Sequence, residues 1–560
     1  MARFGGQAFK LSEEMNTGAV WGFQLGRRAI VCPTDPPDDS FAEMLLEYYA
    51  MGTMSVQHVA QAALDFCKSR GGAVPESDMI SRLAKTGARG QSSNNCERDL
   101  QRIVLSSSKT LDVQIETVQV RMLCAKTMQK KWRSLPCIFP DKLAESVFHY
   151  SESLFRHLFL GTEVDATSYW QCVRDRSGWF SNHPASTVPR DQWDKLIPIS
   201  LYGDEVQSFR NTEGGVVACV AWTPDFAVRM PTMSRYFALC AWPEHYACAE
   251  TYDDLLRALA PRLSAMCSPT VETFAWRKKG YRFVYSSTQG DLKWIAEKYG
   301  FHNFRSNSFC SFCECKKDDP DPSMTIGDFK LTAKHLQTEM NHETFFQRLG
   351  KAPEEFSPLF LIAGARMDRI AHDICHSQFL GTGKALNGSL LTYLCEANAF
   401  CAFGGGKYQQ CMDAALRHAY KAFCDWQRAR KLWVSQPRFT ASRLHRTLRT
   451  AYPQLSSKAV AGKTISYWLA DVCVSWAQRP ASSDLDQAVA YCATSYTSML
   501  RAIDESPVVL SQEQAEAVFQ HGVQHLQVYA YLNLLSASTV GSYGEGEQDL
   551  PQDIPVPPCT

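Results

Sequence analysis

An α/β core set between large all-helical N-terminal and C-terminal regions is the fold class that this sequence predicts. Three observations predict it. Three strand-like runs, KLIPISLY, GGVVACVAWTP and RYFALCAWP, lie within residues 195–243. An amphipathic helix pattern over 251–266 and a strand-then-helix pattern over 281–300 follow them. Outside that stretch helical apolar spacing dominates, over 41–69, 139–160 and most of 355–540.

Composition allows such a fold and excludes others. The chain has 560 residues, 45% hydrophobic and 21% charged, which rules out wholesale disorder. At about 150 residues per domain it holds three or four domains, or one large domain with helical additions. Its 58 Lys and Arg balance 58 Asp and Glu, so any nucleic-acid surface must be local. No run approaches the ~18 apolar residues that span a bilayer, so no membrane partner is expected. The start, MARFGGQAFKLSEEMN, has no apolar core and does not read as a targeting segment. The 21 cysteines are scattered, many in apolar or helical runs as Cys395 and Cys473 are. They read as reduced, buried thiols of a nuclear or cytoplasmic protein.

Residues 1–40 form an irregular lead-in ending in the turn-rich CPTDPPDD (32–39). Residues 41–190 are expected to form a mainly helical domain. Asp39 or Ser40 caps FAEMLLEYYA (41–50), where Leu45, Tyr48 and Tyr49 share a face. Gly52 breaks the pattern, and Ser55 caps VQHVAQAALDFCKS. Two packed helices explain this pair better than a DNA-binding helix-turn-helix does, since the second helix has no Arg and a single Lys at its end. Residues 86–100 read as a loop, and 105–129 as a strand followed by a helix. KTMQKKWR (126–133) is a small basic patch, explained equally by a solvated face or a phosphate contact.

In the 195–300 core the run Leu196–Tyr202, bounded by Pro198 and Gly203, reads as a strand ending at Asp204 and Glu205. The whole span reads β-β-β-α-β-α, the order of a ribonuclease H-like domain. Residues 301–350 read as a zinc-binding insertion and 355–540 as a helical region. The tail 541–560, Gly/Pro-rich with four acids and no Lys or Arg, reads as disordered.

The chemistry-bearing residues follow from these placements. Asp204 and Asp291 each follow a glycine at the end of an expected strand. Carboxylates on neighbouring strand ends can share Mg²⁺ or Mn²⁺ ions for phosphoryl chemistry. Gly-Asp is also a common turn pair, which is the plainer explanation. Glu205 is a weaker third acid. Cys310-x2-Cys313 has the spacing of half a zinc site, with Cys315 as a spare ligand. The other half is open among His302, His335, His342, His372, Cys375 and His376; a pair of buried thiols is the alternative. Asp373-x2-His376 is a metal, phosphate or positioning element. GTGKALNGS lacks the spacing of a phosphate loop, and no G-x-G-x-x-G occurs, so no nucleotide cofactor is expected. Residues 428–449 carry Arg428, Arg430, Lys431, Arg438, Arg443, Arg446 and Arg449 with no acid, and Trp433 and Phe439 among them. That composition suits DNA, or else a solvated helix face.

Taken together, GDEVQSF (203–209), GDLKW (290–294) with SFCSFC (308–313) after it, and DICHSQFLGTG (373–383) resemble blocks of a known family. The chain resembles the transposase-like proteins of large cut-and-paste transposable elements of the CACTA/KDZ type, and looks closest to degenerate copies from dinoflagellate genomes. The resemblance covers roughly 195–540. It implies a ribonuclease H-like domain with a DDE carboxylate triad, its first two aspartates on Asp204 and Asp291. It puts the family Cys-x2-Cys on Cys310 and Cys313, and the family Asp-x2-His and Leu-Gly on Asp373, His376, Leu380 and Gly381. The third carboxylate falls on Glu396 or Glu516. LQVYAYLNLLS (526–536) resembles the segment before a terminal basic-His block that is missing here. The resemblance thus implies DNA strand cleavage and transfer, degenerate and inactive in this chain, with DNA and a homo-oligomer as partners. The second expectation is a non-catalytic, zinc-stabilised protein that binds nucleic acid or protein.

Overall fold

The computed structural model describes residues 40–50, 54–71, 78–86, 96–106, 111–161, 164–207, 215–227, 235–268, 273–302, 305–432, 434–506 and 510–541. The lead-in 1–39, with Asp39, as well as Trp433 and the tail 542–560, lie outside the described residues. The chain forms two compact units, one of residues 1–312 and 340–373, the other of 313–339 and 374–560.

The first unit opens with helices α1 (Ser40–Ala50), α2 (Val56–Ser69), α3 (Met79–Ala84) and α4 (Cys96–Ser106). They share a core of Leu45, Leu46, Val59, Ala63, Ile80, Leu83, Leu100 and Ile103. Ser55 caps α2, its hydroxyl accepting from the His58 amide at 3.3 Å. Leu45 and Tyr49 are buried as their spacing predicts, whereas Tyr48 is 40% exposed. Part of the expected 86–100 loop is the start of α4.

The N-terminal region is not all-helical. Strands β1 (Glu116–Leu123) and β2 (Lys130–Cys137) form an antiparallel hairpin, with Val120 opposite Arg133. Val118, Val120 and Met122 alternate inward along β1, a period that a helix cannot use. The basic run after β1 therefore pairs as a strand instead of starting a helix. The helix expected over 139–160 is two, α5 (Pro140–Tyr150) and α6 (Glu152–Phe159). Ser151 parts them: its backbone is extended, and its hydroxyl accepts from the Leu154 amide at 3.2 Å. Helix α7 (Ala166–Arg176) follows, capped by Asp165.

The sheet of this unit holds β3 (Leu196–Gln207), β4 (Val216–Pro224), β5 (Phe237–Pro243), β6 (Arg282–Gly290) and β7 (Ile370–His372), in the order β5-β4-β3-β6-β7. The first three are antiparallel neighbours; β6 runs parallel to β3, and β7 parallel to β6. Between β5 and β6 lies α8 (Ala249–Cys267), and after β6 comes α9 (Leu292–Tyr299). This is a mixed α/β core, and its last strand comes from beyond residue 300. Strand β6 is buried almost throughout, as a central strand must be. Phe155 and Phe159 of α6 pack edge-on to Phe283 at 5.8 and 5.3 Å, and Trp294 of α9 packs against Trp242 and Tyr252. Helix α10 (His342–Leu349) precedes β7.

The second unit is a helical assembly of α11 (Gly383–Glu396), α12 (Tyr408–Ala429), α13 (Ala459–Ala477), α14 (Asp484–Glu505) and α15 (Gln512–Gly541). Its core includes Leu391, Leu394, Leu416, Phe423, Trp468, Leu469, Cys492 and Tyr496. Cys395 and Cys473 are buried thiols, as expected. The 428–449 segment leaves the helix at Ala429, because Phe439 and Leu444 turn in to the core. Among the described residues no helix is long and apolar enough to cross a membrane.

Candidate metal centre at the strand ends

Two glycines set the geometry. Gly203 on β3 pairs with Gly290 at the end of β6. The indole of Trp294 lies against both: a Cβ on Gly203 would overlap it, and one on Gly290 would come within 2.9 Å of its Cδ1. The glycines admit a buried tryptophan across the strand ends, and the residue after each is the aspartate. Gly203-Asp204 is therefore no turn pair. Strand β3 continues through Asp204, which stands opposite Cys219 of β4.

Asp291 caps α9, its Oδ1 accepting from the Trp294 amide at 2.6 Å. Capping engages one carboxylate oxygen, and Asp291 remains half-buried. Asp204 accepts at Oδ1 from the Glu205 amide (2.7 Å) and at Oδ2 from the Tyr202 hydroxyl (3.1 Å). Burial, with the charges of Asp204 and Asp373, pushes the Tyr202 phenol far up, so it stays a hydrogen-bond donor at neutral pH. Ligand oxygens of Asp204 and Asp291 lie within 4.8 Å of one another. Oxygens around one six-coordinate ion at ~2.1 Å are up to ~4.2 Å apart, so the pair fits a shared hard cation after a sub-ångström shift. Glu205 does not join them: its carboxylate is held by Lys293 at 2.8 Å and Lys298 at 3.6 Å.

The third strand end was missed as such in the sequence. His372 of β7 pairs with Gly290, so Asp373 follows the same row that Asp204 and Asp291 follow. The signal was the apolar Ile370-Ala371 ahead of the acid, too short to read as a strand. Immediately after it, Cys375–Thr382 is a π-helix, a rare form that is frequent at functional sites. At its start Cys375 and His376, both of the second unit, bring a sulfur and a nitrogen ligand atom to within 4.8 Å of one another. Two sets of metal-ligand groups thus exist, the strand-end carboxylates of the first unit and the sulfur and nitrogen donors of the second.

Among the described residues neither set takes in the Cys310–Cys315 segment. Cys310 and Cys313 are half-buried and Cys315 is buried; the Cys310 thiol accepts from the Phe312 amide at 3.4 Å. His302 is exposed. His335 Nε2 is 2.9 Å from the Asp328 carbonyl. His342 Nδ1 accepts from the Met367 amide at 3.2 Å, and burial and the nearby Arg366 push its pKa down, keeping it neutral. Glu396 belongs to the helical unit, where it accepts from Tyr408 at 2.6 Å and pairs with Arg446 at 3.5 Å. Glu516 lies on α15, bonded to Gln512 at 2.9 Å.

The basic segment is less uniformly unopposed than its sequence implies. Arg428 pairs with Asp425, Arg430 with Asp471, and Arg446 with Glu396. Lys431, Arg438, Arg443 and Arg449 are exposed, with no ion pair among the described residues. The chain matches no protein-family model and no curated protein.

Proposed function

We propose that this chain is a metal-binding protein that contacts nucleic acid, with Asp204 and Asp291 holding a divalent cation at the strand ends. The observation that carries this reading is the approach of the two carboxylates to within 4.8 Å from adjacent parallel strands. Both donors are hard oxygens, which suits Mg²⁺ or Mn²⁺. The thiolate and imidazole of Cys375 and His376 suit Zn²⁺ instead. Lys431, Arg438, Arg443 and Arg449 supply unpaired charge for phosphate. In this form the protein needs no catalysis.

A second reading, metal-dependent DNA strand cleavage of the transposase-like DDE type, is favoured by one further observation. Asp204, Asp291 and Asp373 each follow one row of the β3-β6-β7 ladder. The β-β-β-α-β-α order of the sheet supports a ribonuclease H-like core. On this reading Asp373 takes the third acidic position in place of Glu396 or Glu516. A bound cation would stabilise charge on the attacking and leaving oxygens. Tyr202 would hold the Asp204 carboxylate in orientation, and Trp294 would keep the floor of the site rigid.

Incubation of purified protein with labelled DNA and Mn²⁺ or Mg²⁺ separates the two readings. DNA retention without nicking supports the first. Metal-dependent nicking abolished by Asp204→Ala and by Asp291→Ala supports the second. Absence of both metal binding and DNA binding defeats both.

A further inference from the structure

A cleft of about 200 Å³ lies between α5, α8 and the single helical turn Ala275–Lys278, all within the first unit. None of its lining belongs to the strand-end site. Side-chain ties hold its walls in place. The Glu145 carboxylate of α5 accepts from the Ala275 amide at 3.0 Å, which fixes the turn against α5. Arg262 of α8 pairs with Glu116 of β1 and stands 3.5 Å from Asp141 Oδ2 of α5. Phe274 and Trp276 stack at 5.6 Å, and Trp276 meets Phe283 of β6 edge-on at 5.1 Å.

Two lining residues each keep a buried polar atom with no hydrogen-bond partner among the described residues, Asp141 at Oδ1 and Trp276 at its indole N–H. Asp141 is 7% exposed and Trp276 is fully buried. Such atoms carry a desolvation cost that a partner would remove. An unpartnered indole alone marks nothing, since Trp222 and Trp294 have one too. A buried carboxylate oxygen on the same cleft is what sets Trp276 apart.

The charges here are already matched. Arg262 and Lys142 face Glu116 and Asp141, and the Arg277 guanidinium donates to the Tyr281 and Ser268 carbonyls. Arg262 and Arg277 line the cleft and would repel a cationic ligand. An anion would set one acceptor against another at Asp141. Pro261, Ala265, Met266 and Phe274 make the remaining lining apolar.

We infer that this cleft binds a small, neutral, planar cyclic amide, its N–H donating to Asp141 Oδ1 and its carbonyl accepting from the Trp276 indole. An amide offers a donor and an acceptor side by side, and its ring supplies a flat apolar body. An apolar cavity of ~150 Å³ holds benzene, so a single six-membered ring with a polar edge suits this one.

The test is a ligand-observed NMR titration of the full chain with 2-pyridone. EDTA keeps the outcome independent of the strand-end cation. The unaltered chain is expected to bind 2-pyridone saturably, with a Kd of about 1 mM. N-methyl-2-pyridone keeps the ring and the acceptor but lacks the donor, and should bind about ten-fold more weakly. Ala265→Leu fills the cleft from a helical position and should weaken 2-pyridone by at least about ten-fold, with the melting temperature unchanged. Asp141→Asn keeps the shape and loses the charge, and should narrow the gap between the two pyridones. Equal binding of the two pyridones to the unaltered chain overturns the inference, because the cavity is then merely apolar. Tighter binding of benzylamine or benzoate than of 2-pyridone overturns it in favour of a charged ligand. No saturable binding overturns it, with water as the occupant, and affinity untouched by Ala265→Leu places the compound elsewhere. Should Ala265→Leu lower the melting temperature, Asp141→Asn decides, and an unchanged gap between the pyridones defeats the inference.

Discussion

The strand ends and the Cys310–Cys315 segment both carry residues whose spacing suits metal binding, and the fold treats them differently. At the strand ends a hydrogen-bonded ladder brings Asp204 and Asp291 together from positions far apart in the chain, and the Trp294 indole packs against the glycine that precedes each. In the cysteine segment the donors lie within six residues, while His335 and His342 are engaged by carbonyl and amide groups. Proximity in sequence is therefore weaker than registration in a sheet. A ladder fixes where side chains meet, whereas a loop leaves ligands to the nearest backbone partner.

The largest expected effect tests whether packing builds the strand-end site. Trp294→Ala removes a fully buried indole and should cost about 4 kcal/mol of stability, measured by urea unfolding. Gly203→Ala should cost about 2 to 3 kcal/mol, because its Cβ would collide with that indole. The double variant should then lose less than the sum of the two. Full additivity would mean that the glycine does not serve the tryptophan, and the comparison would lose its physical basis.

A smaller effect is expected at the hairpin anchor. Burial pushes the Asp254 carboxyl up, but the hydrogen bonds and charge of Arg121 outweigh it and hold its pKa below the usual carboxylate value. Because the folded value is the lower one, Asp254 contributes stability above about pH 4, and that contribution is lost as pH falls through the folded value. Asp254→Ala should cost about 2 kcal/mol at pH 7, shrinking as pH falls through the folded value. A penalty that stays undiminished down the whole acid limb of the stability curve would show that the pair acts through shape and not through charge.

The helical unit provides a control. Replacing Arg438, Arg443 and Arg449 by Ala should weaken duplex binding about ten-fold at moderate salt and lower the salt slope by about 2.7, with Mn²⁺ affinity unchanged. Including Arg446 would confuse the result, since it is tied to Glu396 and Tyr408. The smallest expected effect is at the cysteines: Cys310→Ser with Cys313→Ser should alter Mn²⁺ affinity by less than about two-fold. One equivalent of zinc, lost in that double variant, would make the cysteine segment a metal centre in its own right and erase the contrast.

Much of this was legible in the sequence, and the parts that were not share a cause. The branched run before Asp204 and the run before Asp291 announced core strands, because a central strand is apolar along most of its length; that the two run parallel was not legible. The three residues of β7 carry too little pattern to be read, so Asp373 could be noted only as part of Asp-x2-His. Glycine beside aspartate suggested turns, since the indole that requires those glycines comes from the next helix and is visible only when α9 is folded back on the sheet. The seven cations of 428–449 looked unopposed because Asp425, Asp471 and Glu396, which pair with three of them, lie outside that segment.

The central claim is that Asp204 and Asp291 hold one divalent cation, and Mn²⁺ titration followed by electron paramagnetic resonance tests it most directly. The unaltered chain is expected to bind Mn²⁺ saturably, and Asp204→Asn and Asp291→Asn are each expected to weaken binding by about 100-fold. That is the upper end of what losing even an outer partner of a ligand costs. Glu205→Gln, whose carboxylate is occupied by Lys293 and Lys298, should leave it within about two-fold. Mn²⁺ affinity that is indifferent to both aspartates, or that depends equally on Glu205, would contradict the account.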